Sequence, residues 1–538
     1  MATTVAQVPR TAAQEESRTK WLTLGAMCFA LFMMMLDNTV VNVALPTIQQ
    51  KFNATTSALE WIVNGYTLSL AVLMVTMGKL GDIFGRKRLF LIGLTVFTAA
   101  SFACGVAPNL GSLVFFRVLQ GLGGSIMMPG TLSIITATFQ GKERAQAIGI
   151  WAGISGLALA AGPIVGGALV QYVNWQAIFF VNIPIGIIAF LVATRVVRES
   201  YDTTAARSVD YLGVATLTPS IFALTLALIE GQGWGWGSGR ILGLFAAAVL
   251  FLIAFVVAEN RQANPMVHFP MFRSPAFLAA NVITFVLTFG MFGSIFFLTL
   301  YMQNVLGYSA LQSGLRTLPM TGMIIFSAPL SGRLIGRLGG RPIVFTGMTL
   351  VGLGLLIDSR RLTAHSAYTA LLPSFILIGV GIGFAMSPLS SIAMGAVERT
   401  KAGVASGVLG MVRQLGGVFG IALLGAIFAN RSHSHVVSAV ATLPVPDAVK
   451  AQIVANASLG RGGGTLPGAD PAIVLQIKDA VLGGVVQGLT DAMLIGAIAC
   501  AIGAVLALTL ARPAEEAEMP AMATAEAEHE RINEPALV

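Results

Sequence analysis

Two ionisable residues stand inside apolar runs where charge is costly. Asp37 follows Met33-Met34-Met35-Leu36, and Arg117 follows Val114-Phe115-Phe116. At the centre of a membrane helix each such group costs about 2.5–3.5 kcal/mol on insertion scales. Asp37 can exist as a neutral acid, because desolvation disfavours its charged form. Arg117 cannot shed its proton and must face a partner or a wet cavity. An acid that can switch beside a fixed cation has the makings of a proton-coupled site. A static ion pair, or groups at the interface, is the alternative reading. Gln120, Gly121 and Gly124 share a helix face with Arg117 by their spacing of i+3, i+4 and i+7. The glycines permit close helix approach while Arg and Gln point inward.

Three further patterns carry weight. Gly78-Lys79-Leu80-Gly81-Asp82-Ile83-Phe84-Gly85-Arg86-Lys87-Arg88 forms a short loop whose glycines allow a tight turn and whose Asp82 can pair or cap a helix end. As a charge run alone it would only anchor orientation, and it lacks the spacing of a phosphate loop. Gly332-Arg333-Leu334, Gly339 and Arg341 repeat Gly78-Lys79-Leu80, Gly85 and Lys87 at one offset. That repeat suggests two six-helix halves with two helices inserted between them, a common transporter plan. Gly149, Gly153, Gly156, Ala160, Pro163 and Gly167, with Gly162 and Gly166 beside them, make a smooth strip suited to sliding or to ordinary small-residue packing, and Gly162-Pro163 is a potential bend. Weaker candidates are Glu60, Glu230, Arg316 and Arg413, all at uncertain depth in apolar runs.

These residues need membrane helices to hold them. The chain has 538 residues, of which 55% are hydrophobic and 10% charged, with a mean hydropathy of +0.80. Soluble domains are about 25% charged, so a soluble enzyme, a nucleic-acid-binding protein and a disordered chain are excluded. Runs of roughly 20 apolar residues fall at 21–45, 58–78, 89–107, 110–134, 146–170, 175–195, 211–230, 240–258, 276–303, 311–332, 342–358, 368–392, 403–429 and 485–511. The fold expected is all-α and integral to the membrane, with fourteen spans. Placing the N-terminus in the cytoplasm puts 21 of the 32 Lys and Arg on that side and 8 outside, as the positive-inside rule requires. Both termini are therefore expected in the cytoplasm, in a cell (inner) membrane. The expected organisation is a tail over 1–20, a six-helix bundle over 21–195, two added helices within 211–258 and a second bundle over 276–512. An outer loop over 430–484, with a short helix near 445–456, and an acidic disordered tail over 513–538 complete it. The three cysteines read as packing residues, and no metal, nucleotide, channel-filter or hydrolase pattern appears.

Four signatures in order resemble the major facilitator superfamily, and within it the fourteen-span drug/proton antiporter branch. They are Leu36 to Pro46, Gly78 to Arg88, Arg117-Val118-Leu119-Gln120-Gly121 and Gly162-Pro163-Ile164-Val165-Gly166-Gly167. Tyr301-Met302-Gln303 with Leu306-Gly307-Tyr308-Ser309, and Arg413-Gln414-Leu415-Gly416-Gly417, also look like this branch. The resemblance runs from about Trp21 to Arg512. It implies that Asp37, with Asn38 and Asn42 in its motif, serves proton or substrate coupling, and that Arg117 and Gln120 belong to the relay. It implies a cytoplasmic gate at Gly78, Gly81, Asp82, Gly85, Arg86, Lys87 and Arg88, and a helix shaped for exchange by Gly162, Pro163, Gly166 and Gly167. The second loop copy has Gly336 where Asp82 sits, so the gate role does not carry over there. Few intramembrane acids argue against a dicationic substrate.

The expected function is proton-driven export of lipophilic small molecules, cations included, by alternating access. Partners would be the bilayer, substrate and protons, with no nucleic acid, ATP or cofactor; nothing indicates whether a periplasmic adaptor takes part. A dedicated exporter of one metabolite, such as an antibiotic or siderophore, is the second reading. A membrane sensor or interaction protein without transport is the third.

Overall fold

The computed structural model describes residues 10–52, 56–202, 210–262, 265, 267, 269–441, 443, 446, 447, 449, 450, 453 and 471–509. The expected acidic tail and most of the expected short helix near 445–456 lie outside them. Among the described residues the secondary structure is helical. The long helices are α1 Arg10–Phe52, α2 Thr56–Phe84, α3 Arg86–Gly105, α4 Leu110–Thr138 and α5 Gly141–Tyr172. A short α6, Ala177–Phe180, precedes α7, Asn182–Val196. Then come α8 Tyr211–Trp234, α9 Gly239–Arg261, α10 Pro275–Leu300, a short α11 Ala310–Arg316, and α12 Leu318–Leu338. The chain closes with α13 Gly340–Arg361, α14 Leu372–Gly395, α15 Ala402–Ala441 and α16 Pro471–Ala507. Thirteen helical segments among the described residues are long and apolar enough to cross a membrane. The 32-residue α5 occupies the place of the remaining expected span.

Local chemistry sets the ends. Asn109 caps α4 in a reciprocal box with Ser112, and Ser309 does the same for α11 with Gln312. Pro275 sits in the first turn of α10, after Ser274 as cap. Gly85 divides α2 from α3 at φ 108°, and Gly339 divides α12 from α13 at φ 77°. Both are left-handed positions where a side chain would be strained. The sequence repeat is thus also a repeat of backbone conformation.

The helix bounds add detail to the expected spans. The span expected over 175–195 is observed over Ala177–Val196, as α6 and α7 with helical dihedrals at the intervening Val181. Helix α5 runs through Gly162-Pro163. The loop expected over 430–484 is shorter, because α15 continues to Ala441 and α16 begins at Pro471. Hydropathy registers where apolar residues stop, whereas a helix needs only its backbone bonds and can continue into water.

Packing follows the glycines. Within the first half α1 packs on α5 and α7, and α4 packs on α2 and α3; within the second, α14 packs on α12 and α13, and α15 on α10 and α16. The most extensive contacts between the halves are α2 with α15 and α5 with α12; α4 also meets α15, and α5 also meets α11 and α14. A methyl group at Gly78 would overlap Gly403 O, with Gly407 Cα beyond; one at Gly332 would overlap Ala145 O, with Gly149 Cα beyond. The repeated loop glycines therefore make equivalent close approaches. Helix α8 packs on α9 and touches α2 and α15. Helix α9 exposes Val249, Leu250, Phe251, Leu252 and Ile253, the surface of a helix solvated by lipid.

Candidate functional site

Asp37 and Arg117 meet. Arg117 NH1 donates to Asp37 Oδ2 at 2.5 Å, and both side chains are fully buried. Gln120 Nε2 and Asn182 Nδ2 each donate to Asp37 Oδ1 at 2.8 Å. Arg117 NH1 also reaches Gln120 Oε1 at 2.8 Å, and its Nε donates to Ile62 O at 3.1 Å. Its guanidinium carbon lies 4.3 Å from the centre of the Tyr66 ring, within cation–π range. Asn182 Nδ2 also donates to Ser101 Oγ, whose hydroxyl donates to Phe179 O. Helices α1, α2, α3, α4 and α7 thus converge on one carboxylate. Three donors and no acceptor around its oxygens make a setting for an ionised acid.

The surrounding sequence explains the convergence. Gly121 carries no side chain where a methyl group would overlap Ser69 Oγ and Tyr66 O, so α4 lies close enough to α2 for Arg117 to reach Ile62 O. Asn182, at the start of α7, is wholly buried. On the other side of α1, Gly162 and Gly166 of α5 abut Thr39 and Val40.

A second cluster sits where α2 turns into α3. Asp82 Oδ1 accepts from Arg86 Nε at 2.9 Å and Arg86 NH2 at 2.6 Å. The same carboxylate accepts Gly403 N at 2.8 Å and Val404 N at 2.9 Å. Asp82 therefore caps the N-terminus of α15, a favourable place for negative charge. Arg86 NH2 donates to the carbonyls of Arg399 and Thr400, 2.8 Å each. Both side chains are buried, at 2% and 3% exposure. Glu199 accepts the amides of Lys87 and Arg88 at 3.0 Å each, and Lys87 Nζ donates to Thr194 O. A side chain at Gly85 would meet the Glu199 carboxylate.

Between the halves lies a small irregular space of about 30 Å³, with residues from α1, α4, α5, α10, α12, α14 and α15 around it. Arg413 and Gln414 line it, with Trp151, Met35, Phe292 and Met386. Arg413 is buried; its NH2 donates to Ser390 Oγ at 3.1 Å, and its guanidinium carbon lies 5.4 Å from the Trp151 ring centre. Its Nε has no hydrogen-bond partner.

The other candidates disperse. Asn38 is half-buried and Asn42 exposed; Asn42 Nδ2 reaches Asn38 O at 3.4 Å, and neither joins the Asp37 network. They continue the Met35 face of α1. Gly167 packs on Leu311, and Pro163 lies within α5. Gly81 has Leu89 beside it. Glu60 is in α2, with its side chain outside the described residues, and Glu230 is buried near the end of α8. Tyr301 is buried and donates to Thr363 O at 2.7 Å, with Gln303 half-buried in the same turn. Arg316 lies 3.8 Å from the Tyr308 ring centre, apart from the central space.

Sequence reasoning missed Asn182, Ser101, Tyr66 and Asp358. Asp358 is 0% exposed, and neither carboxylate oxygen has a hydrogen-bond partner. The nearby Ser374 hydroxyl donates to Leu371 O. Buried Asn182 in an apolar run was a usable signal; Asp358 was hidden by Arg360 and Arg361, which mimic a helix end at the interface.

Residues 27–421 match the Major Facilitator Superfamily. The chain is 40% identical over 412 residues to the tetracenomycin C resistance and export protein of Streptomyces glaucescens, covering 76% of each. It is 34% identical over 458 residues to the multidrug resistance protein Stp of Mycobacterium tuberculosis, covering 84% of each. The crystal structure of the human organic anion transporter MFSD10 (TETRAN) aligns with 92% of this chain and 100% of that one at a TM-score of 0.56; at 12% identity the likeness bears on the fold alone. With that match spanning both halves and the helices packed as described, this chain belongs to the Major Facilitator Superfamily: it is a multi-pass membrane transporter of small molecules and not an enzyme.

Proposed function

We propose that this transporter is a proton-coupled exporter of lipophilic small molecules, seated in the cell membrane with both termini in the cytoplasm. The observation that carries the coupling is the buried Asp37–Arg117 pair, held by Gln120 and Asn182. The export direction is supported by the relatives' names, resistance and export among them. The two halves rock about the central space as units, the first within 21–195 and the second within 276–512. The Asp82–Arg86 cluster acts as the gate on the cytoplasmic side, joining α2 to the start of α15. With that side latched, the described conformation is closed to the cytoplasm, and Asp37, buried in it, takes its proton when the outer side opens. Protonation removes the charge that Arg117 pairs with, loosens the α1–α4–α7 contacts and favours the inward state. There the proton leaves and substrate enters.

The energetics suffice without ATP. One charge crossing ~100 mV supplies about 2.3 kcal/mol, which sustains a gradient of roughly 50-fold at about 1.4 kcal/mol per tenfold. The test is efflux from vesicles holding purified protein under an imposed pH gradient. Asp37→Asn should abolish proton-driven efflux while the protein remains in the membrane. Normal proton-driven efflux by that variant would refute the assignment. A dedicated exporter of one metabolite is the second reading, favoured because the 40% identical relative is named for a single compound. Resistance to one compound only, across a panel of dyes and antibiotics, would select it.

A further inference from the structure

We infer that the central space receives an apolar molecule bearing an anionic group, and that Arg413 is the cation that binds that group. The inference narrows the substrate class of the exporter proposed above, and it rests on that reading for the direction of transport alone. Arg413 is 4% exposed. Its side-chain partner is a neutral hydroxyl, Ser390 Oγ, and its Nε is unbonded. A guanidinium cannot escape this by losing its proton. Among the described residues no carboxylate lines the space. Asp37, two residues beyond the lining Met35, is already held by Arg117, Gln120 and Asn182.

An incoming carboxylate, enolate or phenolate would satisfy this arginine. The guanidinium fork matches a carboxylate and forms charge-assisted bonds to it. A cationic substrate would instead bring a second positive charge into a low-dielectric space without an acid, which is strongly unfavourable. The remaining walls suit a flat apolar body. Trp151 and Phe292 offer ring faces, and Met35 and Met386 adapt in shape. In this conformation the space, about 30 Å³, holds little more than water, and the halves must part before such a body enters.

The test uses three probes of one skeleton: pyrenebutyrate, its methyl ester and pyrenebutylamine. Binding to the purified full-length protein is read by pyrene fluorescence, and export is read in vesicles. The wild type should bind the carboxylate at least about tenfold more tightly than the amine. Arg413→Gln should cut carboxylate binding at least about tenfold more than ester binding, and Arg413→Lys should retain part of the preference. An arginine that merely holds Trp151 and Ser390 would, on removal, lower all three probes alike, and that result overturns the inference. A wild type that binds the amine as well as the carboxylate also overturns it, with no variant needed. Carboxylate-selective binding without any export sustains the inference and sinks the exporter reading. Export of the amine in preference to the carboxylate does the reverse.

Discussion

Arg117 and Arg413 are both buried in membrane helices, one in each half of the chain, and their surroundings differ in kind. Arg117 has a carboxylate, a glutamine, a backbone carbonyl and a tyrosine ring. Arg413 has a serine hydroxyl and a tryptophan ring, and it borders empty space. The acids differ likewise. Asp37 accepts from three side chains, whereas Asp358 accepts none. Each arginine leaves one buried nitrogen without a hydrogen bond, NH2 of Arg117 and Nε of Arg413, so the difference lies in the opposite charge: Arg117 has one and joins helices through it. Arg413 has none, and its interaction energy is available for something that arrives. The first half therefore holds the groups suited to coupling, and the second holds the group suited to recognition.

Substitutions can break that contrast. The largest effect on stability should come from Arg117→Gln, which strands the Asp37 carboxylate and should cost about 3–5 kcal/mol. The double change Asp37→Asn with Arg117→Gln should recover part of that loss, measured as a coupling energy from thermal unfolding in detergent. Strict additivity would mean that the pair is not a unit. Asn182→Ala removes a bond to a charged group and should cost about 1.5–3 kcal/mol by the same measurement. Arg413→Gln strands only a hydroxyl and should cost about 1 kcal/mol or less; a loss equal to that of Arg117→Gln would erase the distinction between the two arginines. Smallest of all should be the loss on Asp358→Asn, about 1 kcal/mol or less, because no hydrogen bond to its carboxylate is given up. A loss of several kcal/mol there would reveal an ionised group with partners of its own.

Two of the contacts between the halves sharpen the same lesson. At Gly78 and at Gly332 the backbones approach in the same way, but only the first has an acid, Asp82, to cap the facing helix. In the second, Gly336 lies against the Lys142 stem. The repeat was legible in the sequence, and so was the loss of its acid. The partner of Asp82 was not, since Gly403 and Val404 contribute backbone amides that residue type does not reveal. The Asp37 site was half legible in the same way. Its two charges stood out against apolar flanks, whereas Ser101 and Tyr66 looked like ordinary helix residues. Asp358 was hidden by neighbouring arginines, although α13 runs on past it to Arg361.

Sequence alone determined the membrane setting, the number and approximate place of the crossings, the twofold repeat and the few charges that had to be accounted for. Each of these is a local property, since the transfer of a residue from water to hydrocarbon depends on its own chemistry and that of its near neighbours. Tertiary structure decided which charges meet and which stay unsatisfied. Asp37 finds Arg117 across 80 positions and Asn182 across 145. Such pairings depend on how far each helix is rotated and how closely its glycines let it approach, and those are set by all the helices packing at once.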